Sequence, residues 1–236
     1  MEEEIVEQTE QTEQTEQTQP AVAEAAEVQE VKSKKSAKQF FASYFSSTRI
    51  AYMAVFTALA YILYMPWFEF YIIPAVSFLK IDFSNTFVMI AGFSLGPVAA
   101  VIVGILKEIL HALTFSSTVG IGELANIIVM LPYVLIPSIV YKWRKGIKSV
   151  LVLLAIGSIG QTLMSFPVNY LINFPFFLHS WEKGTSFFLD VWYWVILFNF
   201  VKTVLISIAT MLLYKPLSNL IKLTNAKFTK RKSKEQ

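Results

Sequence analysis

The chain contains no cysteine. No disulfide, thiolate nucleophile or cysteine-bound zinc can therefore form. Only two histidines occur, His111 and His179, far apart and without the HExxH spacing of a zinc protease helix. No GxxxxGKS or GxxxxGKT sequence is present, so the chain lacks the phosphate-cradling loop through which many ATPases work. An early apolar run is missing as well. The first residues are acidic, which predicts no cleavable signal peptide. Lys and Arg are absent from residues 1–30, which hold ten glutamates.

Apolar residues are abundant instead. Of 236 residues 55% are hydrophobic and 15% aromatic, and the mean hydropathy is +0.52. That is too apolar for a soluble domain, and several runs reach the length needed to cross hydrocarbon. Residues 1–38 repeat Glu-Gln-Thr with a period of three and then turn to Ala, Glu and Val. Such a segment buries too little to fold, which predicts a disordered acidic tail. Residues 39–215 form the membrane domain and 216–236 a basic tail. Six spans are expected: Ile50 to Met65, Phe83 to Ser94, Val98 to Leu113, Gly122 to Tyr141, Val150 to Phe174 and Leu189 to Tyr214. The short second span, together with Pro132, Pro137 and Pro167, predicts broken helices around a cavity.

The net charge of +3 conceals a division between the acidic tail and a basic remainder. Lys32, Lys34, Lys35, Lys38 and Arg49 precede the first span, Lys142, Arg144, Lys145 and Lys148 follow the fourth, and Lys215 to Lys234 follow the sixth. The loops on the other side carry little beyond Lys80 and Lys183. Six spans with both termini cytoplasmic satisfy this asymmetry in the cell membrane. Five spans, with Phe83 to Ser94 re-entrant, would leave one basic cluster outside. The basic charge gathers at the membrane edges, which points to the bilayer and not to nucleic acid.

Polar residues inside the spans are the candidates for function. A lysine at the bilayer centre costs roughly 2.5 to 3.5 kcal/mol on insertion scales. Lys202 lies in the middle of the last apolar run and needs a partner. Asn199 stands three residues earlier, on the same helix face. Asn169 follows Pro167 near the outer end of the fifth span. Glu123 and Asn126 share a face at the outer start of the fourth, where free backbone amides favour polar ligand groups. Capping and helix–helix hydrogen bonds are the plainer roles for these two, and a bond to Glu123 or Glu108 is the plainer role for Lys202. Leu79, Lys80, Asp82 and Phe83 enter the second span from outside as a lid, although Asp82 or Ser84 could simply cap the helix. Lys107 and Glu108 are adjacent, point about 100° apart and need not pair with each other. Ala51, Ala54 and Ala58 give the first span a small-residue face on which another membrane helix can pack closely. No catalytic or metal-binding constellation stands out.

Six segments come in a telling order: Lys80-Ile81-Asp82-Phe83-Ser84, Gly92 to Pro97, Lys107 to His111, Gly122 to Asn126, Asn169-Tyr170 and Phe198-Asn199-Phe200-Val201-Lys202. Together, over about Ile50 to Tyr214, they resemble the substrate-binding S components of energy-coupling-factor (ECF) vitamin transporters, and within these the riboflavin-specific group. The resemblance implies an all-α integral membrane protein with the six-helix S-component fold. It implies a riboflavin pocket open to the outside, a lid from the first loop, and ring contacts from Asn169, Asn199 and Lys202. Glu123 and Asn126 would support the pocket or the sugar-like chain. The implied partners are a transmembrane coupling subunit, docking on the alanine face, and two ATP-binding-cassette ATPases. Riboflavin would be the cargo, with no cofactor and no chemistry performed on it. The chain departs from the family at Asn85, often Asp, at Glu108, often Asn, in the unusually aromatic loop from Asn173 to Asp190, and in the acidic tail. Another vitamin or flavin mononucleotide as ligand, a membrane assembly subunit, and an intramembrane enzyme using Glu108, His111 or Glu123 are the alternatives. The enzyme lacks paired or metal-ligating carboxylate spacing.

Overall fold

The computed structural model describes residues 44–71, 79–144 and 146–232, with side chains through Leu217. The acidic tail expected at 1–38 lies outside the described residues, and the basic tail expected at 216–236 is helical as far as Lys232, continuing the last helix. The chain divides into two units after Ile50. In the described part of the first, the Arg49 guanidinium lies 4.5 Å from the centre of the Tyr44 ring.

Among the described residues seven α-helices follow one another: α1 (Ser47–Ile62), α2 (Asn85–Leu95), α3 (Pro97–Thr114), α4 (Ile121–Tyr141), α5 (Ile147–Val168), the short α6 (Phe174–Phe177) and α7 (Trp181–Lys232). A π-helical turn, Asn169–Asn173, joins α5 to α6, so that Ile147–Phe177 is one continuous helical span. Counted that way there are six helical segments among the described residues, the number expected. Four of them are long and apolar enough to cross a membrane, while α1 and α2 are shorter apolar helices. The protein is a multi-pass membrane protein.

Between α1 and α2 the chain makes a 3₁₀ turn (Pro66–Phe68) and two short strands, β1 (Phe70–Tyr71) and β2 (Lys80–Ile81). They pair antiparallel, Phe70 opposite Ile81 and Tyr71 opposite Lys80. The break between α2 and α3 falls at Gly96, whose φ of 102° lies where a side chain is strained. Pro97 then begins α3, where its missing N–H costs nothing.

The main core gathers Met53, Phe56 and Ala60 of α1 with Val88 to Ala91 of α2, Ala99, Ala100 and Val103 of α3, and Met130, Tyr133 and Val134 of α4. A second cluster joins Leu79 and Ile81 to Phe174, Phe188, Val195 and Phe198, tying β2 to α6 and α7. Ala51, Ala54 and Ala58 are exposed along one side of α1.

Two expectations are corrected. Pro132 and Pro137 do not break α4, which runs unbroken past both. Their rings face glycines of α5: a Cβ on Gly157 would come within 2.8 Å of Pro137 Cγ, and one on Gly160 within 3.1 Å of Pro132 Cβ. Close packing of a neighbouring helix tolerates proline within a membrane helix. The aromatic stretch from Asn173 to Asp190, read as a loop, is largely helical, belonging to α6 and the first turns of α7. The tight connection depends on Gly184, where a Cβ would lie 2.5 Å from the backbone of Pro175. Gly184→Val is therefore expected to destabilise the protein by about 1–3 kcal/mol, the range for overpacking, and so to lower its melting temperature in detergent. A thermal melt of the two proteins checks this.

Candidate ligand-binding site

A cavity of about 330 Å³ opens among α2, α3, α4, α5, the π turn and α7, beneath the β1–β2 hairpin. That lies within the range of roughly 300–1,000 Å³ common for small-molecule sites. Asn169, Asn199, Lys202, Glu123, Asn126, Leu79, Lys80 and Asp82 all line it. Phe83 does not. Asp82 Oδ1 accepts the Ser84 N–H at 3.0 Å, in a turn that carries the chain past the half-buried Phe83 into α2 at Asn85.

The partner of Lys202 is Asp82. Lys202 Nζ donates to Asp82 Oδ2 at 2.8 Å and to the Lys80 carbonyl at 3.0 Å. Neither Glu123 nor Glu108 fills this role. Asp82, in the loop ahead of α2, also accepts a short hydrogen bond from the Ser84 hydroxyl. Burial alone would push its carboxyl up. The ammonium groups of Lys202 and Lys107, with the hydrogen bonds from Lys202 and Ser84, hold it well below the usual carboxylate range. Asp82 and Ser84 thus serve tertiary contacts, and no side chain caps α2.

Lys107 and Glu108 do pair, at 2.9 Å, despite their angular separation. The four-carbon stem of lysine lets its ammonium curl back to its neighbour. Lys107 Nζ also donates to Ser84 Oγ at 2.7 Å and sits 4.5 Å from the centre of the Tyr64 ring. Both residues are fully buried.

Glu123 Oε1 lies 2.9 Å from His111 Nδ1, and Glu123 Oε2 accepts the Ser116 and Thr118 hydroxyls at 3.0 and 2.9 Å. Asn126 Nδ2 donates to Tyr64 Oη at 2.6 Å, and the Tyr64 ring stacks on His111 at 3.9 Å. On the hairpin, Lys80 Nζ reaches Glu69 Oε2 at 2.8 Å. Burial works against the Lys80 charge, but the hydrogen bond and charge of Glu69 outweigh it and raise the Lys80 pKa.

The π turn brings Asn169 and Asn173 onto the cavity wall together. Asn173 Nδ2 donates to Asn169 Oδ1 at 3.0 Å, and Asn169 Nδ2 to the Ser165 carbonyl at 2.8 Å. Local π turns inside α-helices often mark functional sites. Asn199 Nδ2 donates to the Val195 carbonyl at 2.9 Å. Phe177 and Phe198 supply aromatic surface, whereas Trp181, Trp192, Tyr193 and Trp194 are exposed, in the manner of an interfacial belt.

Sequence reasoning passed over Glu69, Tyr64, Gln161 and Asn173, all of which line the cavity. Gln161, a buried amide in the middle of an apolar span, carried the same signal as Lys202. Glu69 carried one too, as a carboxylate in the loop between the first two spans that also holds Lys80.

The sequence model of the family described as "ECF transporter, substrate-specific component" matches residues 48–214, and the chain belongs to that family. The "Riboflavin transporter RibU" of Staphylococcus aureus (strain TCH60) is 29% identical over 177 residues, covering 74% of this chain and 92% of that protein. The "Riboflavin transporter FmnP" of Bacillus subtilis (strain 168) is 27% identical over 172 residues, or 70% of this chain and 90% of that protein. Among solved structures, one described as "Structure and mechanism of the S component of a bacterial ECF transporter" matches with a TM-score of 0.61 and 29% identity. The match covers 74% of this chain and 97% of that one.

Lys202→Met or Asp82→Asn leaves one buried charge without its partner and is expected to cost about 3–5 kcal/mol. The double variant, with neither charge, should recover a large part of that loss in a detergent melt. A double variant as unstable as the sum of the two singles would argue against the pair as a coupled unit. The depressed Asp82 pKa also sets the sign of the acid response. Its contribution is complete above the ordinary aspartate pKa of ~3.9 and is lost as the pH falls through the lower folded value.

Proposed function

We propose that this protein is the riboflavin-binding S component of an ECF transporter of the cell membrane, with both termini cytoplasmic. It captures the vitamin from outside and passes it inward through a transmembrane coupling subunit driven by two ATP-binding-cassette ATPases. It performs no chemistry on its cargo. The observation that carries this reading is the meeting of Asn169, Asn199 and Lys202 on one cavity that also holds Phe177 and Phe198. The aromatic rings suit a flat tricycle. Asn side chains offer both a donor and an acceptor to the carbonyl and imide edge of a flavin. An ammonium has three donors, and Lys202 uses two of them, on Asp82 and the Lys80 carbonyl. The third is left for a ring carbonyl. The relatives named as riboflavin transporters support the same ligand.

The β1–β2 hairpin, with Leu79, Lys80 and Asp82, acts as the lid. Its ties to α7 through the second apolar cluster and the Lys202–Asp82 bond let closure and ligand contact proceed together. The exposed Ala51, Ala54 and Ala58 receive the coupling subunit by close helix packing.

The purified protein, from cells grown with riboflavin, should show flavin absorption bands near one equivalent. After removal of bound flavin it should quench added riboflavin fluorescence. Asn199→Ala should weaken that binding by about tenfold or more. A colourless protein that leaves riboflavin fluorescence unchanged would rule out the flavin and call for other vitamins. Ala58→Leu should leave riboflavin titration intact and reduce co-purification with the coupling subunit.

A further inference from the structure

Gln161 sits inside α5, where an amide side chain has little to bond. The helix carries no acidic residue and a single charge, Lys148, in its first turn. Gln161 is 2% exposed and lines the cavity, and its Oε1 has no protein partner among the described residues. Its polar neighbours are satisfied on their own helix. Thr162 Oγ1 donates to the Ser158 carbonyl at 2.8 Å, Ser165 Oγ to the Thr162 carbonyl at 2.7 Å and Asn169 Nδ2 to the Ser165 carbonyl at 2.8 Å. Buried polar atoms are nearly always paired, and an orphan carbonyl at membrane depth calls for a donor from outside the protein.

Four other cavity-lining atoms are without a partner among the described residues: Asn85 Oδ1, Glu108 Oε2, His111 Nε2 and Asn173 Oδ1. Three of these side chains are held through another atom, Glu108 by Lys107, His111 by Glu123 and Asn173 by Asn169. Asn85 opens α2 beside the turn of Asp82 and Ser84. Gln161 lies on the wall next to α7, and its level follows from the register of the two helices. Ser158 Oγ is 3.4 Å from Ser207 Oγ, so α5 and α7 are level there. The helices run antiparallel, which brings Gln161 level with Val204, about 3 Å along the axis from Lys202 and roughly 8 Å from Asn199. The amide thus joins the side chains assigned above to the flat ring.

An oxidised flavin ring offers several acceptors, its two carbonyls and its bare nitrogens. It offers one N–H, on the imide nitrogen between the carbonyls. Lys202 can serve a carbonyl and cannot accept. Asn169 Oδ1 already takes the Asn173 amide. Gln161 Oε1 is an acceptor with no donor in the protein, and the NH₂ of the same side chain can meet the carbonyl next to the imide.

We propose that Gln161 recognises the imide N–H of the flavin ring and makes the site select flavins in which that nitrogen is unsubstituted. The proposal rests on the riboflavin reading above. A site built to hydrogen-bond an N–H discriminates strongly against the analogue lacking it, because its own acceptor is then left buried and unpaired.

The test titrates the full-length, flavin-free protein in detergent with riboflavin, 3-methylriboflavin and lumiflavin, whose ring bears a methyl group in place of the hydroxylated chain. Gln161→Met keeps the length of the side chain and removes its polar atoms. It should weaken riboflavin and lumiflavin alike by about tenfold or more, equivalent to ~1.4 kcal/mol. The unsubstituted protein should bind 3-methylriboflavin at least about tenfold more weakly than riboflavin. For 3-methylriboflavin the substitution should cost no more than about threefold, because the contact is already gone. Without flavin, Gln161→Met should melt no lower than the unsubstituted protein, since the amide has no partner there. A marked drop in that melt would show the amide bonded within the protein and overturn the proposal. So would an unchanged riboflavin affinity, or an equal loss for riboflavin and its 3-methyl form, which marks packing alone. A loss for riboflavin with none for lumiflavin would move Gln161 to the hydroxylated chain and overturn the ring assignment. Failure of the unsubstituted protein to bind any of the three would remove the riboflavin reading and the proposal with it.

Discussion

The bond from Lys202 to Asp82 organises the cavity and the hairpin above it. A lysine in the middle of a membrane helix must find an anion or a string of acceptors, and here it finds the Asp82 carboxylate in the loop ahead of α2 and the Lys80 carbonyl on β2. The geometry depends on the shortness of α2. Eleven residues make a helix of about 16 Å, roughly half the ~30 Å of hydrocarbon. The loop ahead of α2 therefore belongs at membrane depth, where a mid-helix ammonium can reach it. Backbone outside a helix is acceptable at that depth only where protein or a polar cavity covers it. The β1–β2 pairing and the cavity meet that condition together.

From this anchor the polar interior divides into connected parts. Ser84 links Asp82 to Lys107, and Lys107 carries the chain to Glu108 and the Tyr64 ring. Tyr64 joins Asn126 and His111, and His111 joins Glu123. Removing one member disturbs its neighbours, so substitutions along this line are not expected to add. The apolar cluster of Leu79, Ile81, Phe174, Phe188, Val195 and Phe198 does for the hairpin's other side what the ion pair does for its inner edge.

What the sequence disclosed follows from cost. Lys202 and Asn199 stood out because polar atoms in hydrocarbon are expensive, and the same reasoning flagged Asn169, Glu123 and Lys107. Hydropathy located all six apolar segments, four of which have the length the bilayer imposes. Pairing was harder to read. That Asp82, and not a glutamate, meets Lys202 depends on where a short helix ends, which composition does not encode. The curl of Lys107 onto Glu108 depends on side-chain reach, which helical angles alone ignore. The proline positions suggested breaks in α4, but glycines one helix away accept the rings. The stretch from Asn173 to Asp190 looked like loop because glycine, proline and crowded aromatics are individually poor helix signals. Gly184 against Pro175 turns those same residues into a packed corner.

The last helix has a consequence for the membrane itself. Its apolar part, Trp181–Leu217, counts 37 residues, about 55 Å at the helical rise, far longer than the bilayer's oily layer is thick. Such a rod tilts, protrudes or thickens the lipid around it. The exposed Trp181, Trp192, Tyr193 and Trp194 are spread over its first four turns and favour the headgroup zone. That zone therefore grips α7 along a slope, not at a point. Lipid chain length then becomes a mechanical input: thinner membranes lean this helix further, and Lys202, fixed to it, carries the floor of the cavity along.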